Sequence, residues 1–394
     1  MLSDPLDLEA PEGPAGRMMR VRAAVQHEPG APLAVQDALL EPPRAGEVLV
    51  RVAAAGVCHS DLHLVDGHLG VERFPIVPGH EGAGVVEAVG AGVEHVAPGD
   101  RVAFCFVPAC LACRSCRAGR FNLCETAATH SWAGTLLDGT TRLRLHDGGT
   151  LRHFNFVSCF AERCVVPSAA AVPLPPELPL WEASLLGCGV VTGVGAVRNA
   201  ARVAVGESVC VIGCGGIGLQ IVAAARLVGA GTVIAVERDS AKLELALARG
   251  ATHAVDATHG DPVAAVLALS GGGVDHAFEA VGSPATIRQT WDVLRPGATG
   301  IVVGIAPTGV EVSLPAFDFL SEKGLKGCYY GSANAAVELG LLARLVADGR
   351  FPVGDVVSEV TDLGGIDEAF GRLRRGEGAR TVVLLDRELA GFGA

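Results

Sequence analysis

The run Ser208–Ile212 (SVCVI), then Gly213-Cys214-Gly215-Gly216-Ile217-Gly218, then Leu219–Val228 (LQIVAAARLV) decides the fold. A short β-branched strand feeds a G-x-G-x-x-G turn that opens a helix. Glycines at Gly213, Gly215, Gly216 and Gly218 permit a tight turn and close approach of backbone to a pyrophosphate, which the helix N-terminus attracts. A second strand, Thr232–Val236, ends at Glu237, 19 residues after Gly218. A carboxylate there accepts from ribose hydroxyls and repels a 2′-phosphate, so the turn reads as an NAD site. Arg238 is the one neighbour that could receive a phosphate instead.

Outward from this turn the strand–helix rhythm continues through Asp275–Glu279, a helix over Ala285–Leu294 and a strand over Gly300–Gly304. A last helix, Ala335–Asp348, and a terminal strand, Thr381–Leu385, close the chain. Such alternation specifies a parallel, doubly wound sheet. Upstream the texture differs: short runs at Arg20–Gln26, Glu47–Ala53, Gly84–Val89 and Arg101–Phe104 sit between glycine and proline turns, the pattern of an antiparallel β-rich domain. The fold class is α/β in two domains, with the tail folding back on the first.

The 394 residues are 49% hydrophobic and 19% charged, enough for substantial cores and incompatible with disorder over most of the chain. A formal charge of -12 without a basic patch argues against nucleic-acid or anionic-membrane partners. The apolar stretch Val209–Val236 is interrupted by Gln220, Arg226 and glycines, and reads as buried core rather than a membrane span. Residues 1–18 read as a disordered leader without the order of a secretory signal. With 12 cysteines and no such signal, a reducing, cytoplasmic setting is expected, where clustered cysteines bind metal.

Cys110, Cys113, Cys116 and Cys124, spaced C-x2-C-x2-C-x7-C, can wrap one tetrahedral ion with four thiolates and leave no open position, a structural zinc site. Cys58, His80 and Cys188 are dispersed, and spacing alone leaves each readable either as packed core or as a ligand.

Gly79-His80-Glu81 with Gly82 and Gly84, the four-cysteine loop, Gly187-Cys188-Gly189 with Thr192-Gly193, and the turn at Gly213 occur in an order that resembles the zinc-containing medium-chain alcohol dehydrogenases, from about Met19 to about Leu385. The resemblance implies a GroES-like catalytic domain from residues 19–189 and 333–394, and a Rossmann domain from 190–332. It implies two zinc ions per subunit, the catalytic one held by Cys58, His80 and Cys188 with a fourth position open. Ser60 and His63 match a proton relay in which His63 faces solvent, Asp61 orients His80, and Glu81 lies behind the metal. His59 and Arg380 match pyrophosphate contacts, Thr192 the nicotinamide and Lys242 the adenosine ribose. Leu69, Phe106, Phe154, Asn155 and Tyr329 fall on the substrate wall. Four of these five are apolar or aromatic, so the expected reaction is hydride transfer between an apolar primary alcohol, medium-chain or aromatic, and NAD. Asn155 either favours a substrate with a second oxygen or points away from the cleft. The alternatives are oxidation of a formaldehyde–thiol adduct and, from another class, a non-catalytic cofactor-binding protein. Relatives of this type also imply a homodimer joined through the Rossmann sheets.

Overall fold

The computed structural model describes residues 18–70 and 73–393; apart from Met18, the expected leader lies outside them. Six parallel strands form one sheet in the order His253–Asp256, Thr232–Glu237, Ser208–Ile212, Val274–Glu279, Leu294–Val302, Gly324–Gly327. Numbered along the chain this is 3-2-1-4-5-6, so strand order reverses between Ser208–Ile212 and Val274–Glu279, where a dinucleotide crevice forms at the carboxyl ends. Helix Gly218–Leu227 begins where the sequence places it. A side chain at Gly218 would strike the Gly213 carbonyl oxygen, which is why only glycine lets the helix start so close beneath the turn.

The other half is β-rich. A seven-stranded sheet is centred on Glu47–Val57, flanked by Gly82–Val89, Arg163–Pro167 and Arg380–Leu384. A five-stranded sheet carries Met19–Val25, Ala34–Leu40, Leu143–Leu145, Thr150–His153 and Ile76–Val77. Most pairings are antiparallel, with two parallel exceptions: Ile76–Val77 beside Thr150–His153, and Val357–Asp362 beside Arg380–Leu384. The tail returns through Arg380–Leu384, which pairs antiparallel with the last residues of Glu47–Val57.

Several elements differ from the sequence expectation: strands His253–Asp256 and Gly324–Gly327 were not foreseen, and the strand expected at Gly300–Gly304 spans Leu294–Val302. Strand Glu47–Val57 runs four residues past Ala53 through Ala54, Ala55 and Gly56, weak strand formers that are fully buried between neighbours on both edges. Tertiary pairing outweighs propensity there. The 22-residue helical run Leu180–Ala201, rich in glycine, was not foreseen; it has wide π-type turns at Leu186–Val190 and Ala196–Ala201. It is long and apolar enough to cross a membrane, but 89% of its apolar window is buried in the protein core. The cleft that carries the site lies between this helical spine, the β-rich half and the parallel sheet.

Candidate active site and metal centres

Three loops that end buried strands or open helices bring Cys58, His80 and Cys188 together. Cys58 caps helix His59–Val65, His80 precedes Gly82–Val89, and Cys188 sits in the wide turn of the glycine-rich helix. Cys58 Sγ lies 3.9 Å from Cys188 Sγ, and His80 Nε2 lies 3.2 Å from Cys188 Sγ. These separations are close to those of thiolates at about 2.3 Å and an imidazole at about 2.0 Å from one tetrahedral zinc. The donor set, two sulfurs and one nitrogen, all buried, fits zinc and leaves the fourth position for an exogenous oxygen.

Each donor is held from behind. His80 Nδ1 donates to Asp61 Oδ1 at 3.0 Å, which fixes Nε2 as the metal-facing nitrogen. The same Asp61 oxygen accepts from Gly79 N at 2.9 Å. Gly189 N donates to Glu81 Oε1 at 2.6 Å, while the Tyr330 hydroxyl donates to Gly187 O at 2.8 Å, so the residues on both sides of Cys188 are pinned. A side chain at Gly189 would collide with the Arg380 guanidinium. Arg380 is buried, donates to Val57 O at 3.2 Å and to Glu81 Oε1 at 3.5 Å, and its Nη1 approaches Glu81 Oε2 at 3.1 Å as an ion pair.

Burial works to lower the His80 imidazole, but the Asp61 carboxylate outweighs it and holds His80 well above the ordinary value. Burial raises Asp61, opposed by His80. The Cys58 thiol is held well below its usual value by its hydrogen bond with Cys188 and, against burial, by His80. Burial pushes Glu81 up to about 7 despite Arg380. The hydrogen bond between Cys58 and Cys188, with burial, pushes the Cys188 thiol the other way from Cys58, well above its usual value.

Around the donors stands an aromatic wall. His80 meets the edges of Phe106 and Phe154 at centroid distances of 5.2 and 5.6 Å. Phe106 packs on Tyr329 at 6.2 Å and Tyr330 at 3.9 Å. Leu69 joins Phe154, Leu64 and Ile76 in one apolar cluster. Asn155 departs from the wall: its Oδ1 accepts from Ser131 Oγ at 2.6 Å, which engages its acceptor within the protein.

The Ser60 hydroxyl is 3.7 Å from Cys58 Sγ, beside the donor set. His63 is half-buried, and its Nδ1 lies 3.3 Å from His68 Nδ1. His63 is therefore not the outermost group, as the sequence reading had it; exposed His68 lies beyond it. Sequence reasoning missed both His68 and Tyr330. The signal for Tyr330 was the Tyr329-Tyr330-Gly331 run, and for His68 the return of the chain at Gly67, whose φ is +76.

At the cofactor turn, Glu237 Oε2 accepts from Cys214 N at 2.8 Å and Oε1 from Arg238 N at 2.6 Å. Within the described residues the N–H groups of Gly215, Gly216 and Ile217 make no hydrogen bond, and a side chain at Gly215 would meet open space. Such free donors at a helix start fit a pyrophosphate. Arg380 borders this turn, since a side chain at Gly216 would strike its guanidinium. Thr192 is buried at the start of Val191–Gly195, and His59 is exposed. Lys242 Nζ donates to Gly376 O at 2.7 Å, so its ammonium is engaged by the tail.

The second cysteine set lies in a separate lobe. The Cys110, Cys113, Cys116 and Cys124 sulfurs all fall within 4.8 Å of one another. Backbone N–H groups of Cys110, Cys113, Cys116 and Ala127 point at Cys124, Cys110, Cys113 and Cys124 sulfurs at 3.3–3.5 Å. Four clustered thiols with N–H donors to the sulfurs fit a closed structural zinc.

Comparison with known proteins matches residues 44–176 to the alcohol dehydrogenase GroES-like domain and residues 216–346 to the zinc-binding dehydrogenase domain. An S-(hydroxymethyl)glutathione dehydrogenase of Synechocystis sp. is 36% identical over 368 residues, covering 93% of this chain and 100% of that protein. The crystal structure of an alcohol dehydrogenase zinc-binding domain protein from Burkholderia ambifaria superposes with a TM-score of 0.90 at 37% identity, covering 94% of this chain and 100% of that one. Benzyl alcohol dehydrogenase from Acinetobacter calcoaceticus superposes with a TM-score of 0.87 at 32% identity, covering 93% and 99%. Two matched domains, full-length relatives and the Cys58–His80–Cys188 pocket lead to one conclusion: the chain belongs to the zinc-containing medium-chain alcohol dehydrogenase family of oxidoreductases.

Proposed function

We propose that this enzyme oxidises an apolar primary alcohol, medium-chain or aromatic, to its aldehyde with NAD, and catalyses the reverse reduction. The observation that carries the reading is the wall of Phe106, Phe154, Leu69 and Tyr329 around His80, which offers a substrate carbon chain apolar contact and no charge. Zinc held by Cys58, His80 and Cys188 supplies Lewis acidity toward the alcohol oxygen, and NAD at the Gly213 turn supplies the hydride acceptor. The chain's own residues do the rest. The Ser60 hydroxyl releases its own proton along the relay toward His63 as it takes the alcohol proton, His63 carries the proton outward, and the aromatic wall excludes water. Asp61 keeps His80 in one tautomer, and Glu81 with Arg380 fixes the Cys188 loop against the cofactor turn. Glu237 favours NAD over NADP.

The reading extends to organisation. We take residues 19–189 and 333–394 as the catalytic domain and 190–332 as the cofactor domain. Strand Gly324–Gly327 ends its sheet beside exposed Phe317 and Leu320, which supports a homodimer joined there. Twelve cysteines without a disulfide support a cytoplasmic setting.

A second reading is supported by the curated relatives: those of Synechocystis sp., Paracoccus denitrificans and Escherichia coli are all named for S-(hydroxymethyl)glutathione. A glutathione carboxylate entering this wall without a cationic partner would forgo a bond worth about 1.5–3 kcal/mol, one to two powers of ten in affinity. The test compares kcat/KM with NAD for ethanol, hexanol, benzyl alcohol and S-hydroxymethyl glutathione. The value of kcat/KM is expected to rise from ethanol to hexanol or benzyl alcohol, with both of these above the adduct. A strong preference for the adduct over every simple alcohol overturns the substrate assignment.

A further inference from the structure

We infer that His68 is the outer link of the proton path, taking the proton from His63 and delivering it to water. The inference rests on the alcohol-oxidation reading above and adds a residue to it. His63 stands on helix His59–Val65, and the chain then turns back at Gly67, φ +76, so that His68 N donates to His63 O at 2.8 Å. That backbone bond sets the two rings face to tilted face, centroids 5.5 Å apart at 55°, with Nδ1 to Nδ1 at 3.3 Å. His68 is held from the far side of the cleft as well, its carbonyl accepting from Thr308 Oγ1 at 3.4 Å. His63 is half-buried and His68 exposed, so the pair spans the distance from cleft to solvent.

A hydrogen bond between two Nδ1 atoms requires one ring to carry its proton there and the other to accept. A proton arriving on Nε2 of His63 then lets its Nδ1 proton pass to His68 Nδ1, and His68 releases the proton on Nε2 to water. One proton enters, one leaves, and no redox change occurs on either ring; exchange with water restores the starting tautomers. The charged groups around His63 suit this direction. Cys58, His68 and Asp66 are the charges that act on it, with His59 also within electrostatic reach, and the Ile305 backbone is a hydrogen-bond partner. Asp66 caps the helix but is committed to Arg374, whose Nη2 donates to Asp66 Oδ1 at 2.6 Å. Among the described residues, that leaves His68 as the uncommitted proton acceptor beside His63. It is a positioning residue in this scheme, acting through His63 and touching neither substrate nor cofactor.

The experiment has two arms. In the resting protein, 15N spectra of the imidazoles should find His63 and His68 in opposite tautomers, one protonated at Nδ1 and one not, titrating as a coupled pair. In turnover of benzyl alcohol with NAD, His68→Gln should lower kcat about tenfold at pH 6, less than the roughly 10²–10⁴-fold of a group that exchanges a proton with the substrate itself. KM for the alcohol should stay unchanged, and the loss should be recovered by raising the concentration of a bulky amine buffer. Rings both protonated at Nε2 and titrating independently, or a His68→Gln pH profile identical to that of the parent, overturn the assignment. His63→Gln separates the two levels. If it alters the profile while His68→Gln does not, His68 is excluded and the relay stands; if neither alters it, the relay itself falls.

Discussion

Glu237 shows how a single side chain can be both structural and selective. Its two oxygens accept from Cys214 N and Arg238 N, so the carboxylate is locked at the rim of the glycine turn. Locked there, it stands in the way of a 2′-phosphate. Glu237→Ser should shift the ratio of kcat/KM from NAD toward NADP by at least tenfold, with Arg238 available as phosphate partner; an unchanged ratio, or a parent that already prefers NADP, contradicts this role. The residue was legible because a fixed spacing from the Gly213 turn governs it. His68 and Tyr330 were not, since Gly67 and the Tyr329-Tyr330-Gly331 run mark turns without saying which distant or neighbouring groups those turns bring together. Spacing predicts partners along one element, whereas these partners meet through tertiary structure. The Lys242 ammonium bonded to Gly376 and the Asn155 carbonyl bonded to Ser131 carry the same lesson, because an alignment assigns a position and not where the polar end goes.

At the scale of elements, the four-cysteine loop and the strand pair behind it set stability. The loop Cys110–Cys124 contains only a four-residue helix and a single 3-10 turn, so its fold depends on the ion. Structural zinc contributes on the order of 10 kcal/mol in small domains. Cys113→Ser is therefore expected to lower the melting temperature by many degrees and to promote aggregation. Unchanged thermal unfolding would remove the structural role. Behind the loop, strand Thr150–His153 buries His153, whose Nε2 accepts from Arg142 N at 3.1 Å. Burial first, then the Arg142 cation, pushes His153 down to about 3. The folded pKa lies below the ordinary value of about 6.5, so the unfolded chain binds the extra proton between the two. This contribution is complete above about pH 6.5 and is lost at about 1.4 kcal/mol per unit as pH falls toward 3. Urea unfolding at pH 7 and pH 5 should show a loss of about 2 kcal/mol that His153→Gln removes; equal pH slopes in parent and variant would exclude His153. The short strands of this half were readable from their β-branched runs. The glycine-rich helix Leu180–Ala201 was not, because its glycines serve close approaches to Arg380 and to other backbone and lower its helix signal.

For the whole molecule, the parallel sheet brings a cofactor turn to one wall of a cleft, and the β-rich half brings three zinc donors to the other. Arg380, on the returning tail strand, touches both through Glu81 and Gly216. The parallel, doubly wound class followed from the strand–helix alternation, whereas the order 3-2-1-4-5-6, with strands His253–Asp256 and Gly324–Gly327, was seen only in the structure. How the two halves close on each other was beyond reach of sequence, since the contacts that do it, Thr308 to His68 and Asn122 to Tyr329, pair residues about 200 or more positions apart. The central claim is that two zinc sites of different kind serve one reaction, a closed one for the lobe and an open one for chemistry. Elemental analysis of zinc per chain, made on the active parent and on folded His80→Ala, tests it most directly. The account predicts about two zinc per parent chain, and about one in His80→Ala with turnover abolished. A single zinc per chain in fully active parent, or an active His80→Ala, would contradict it.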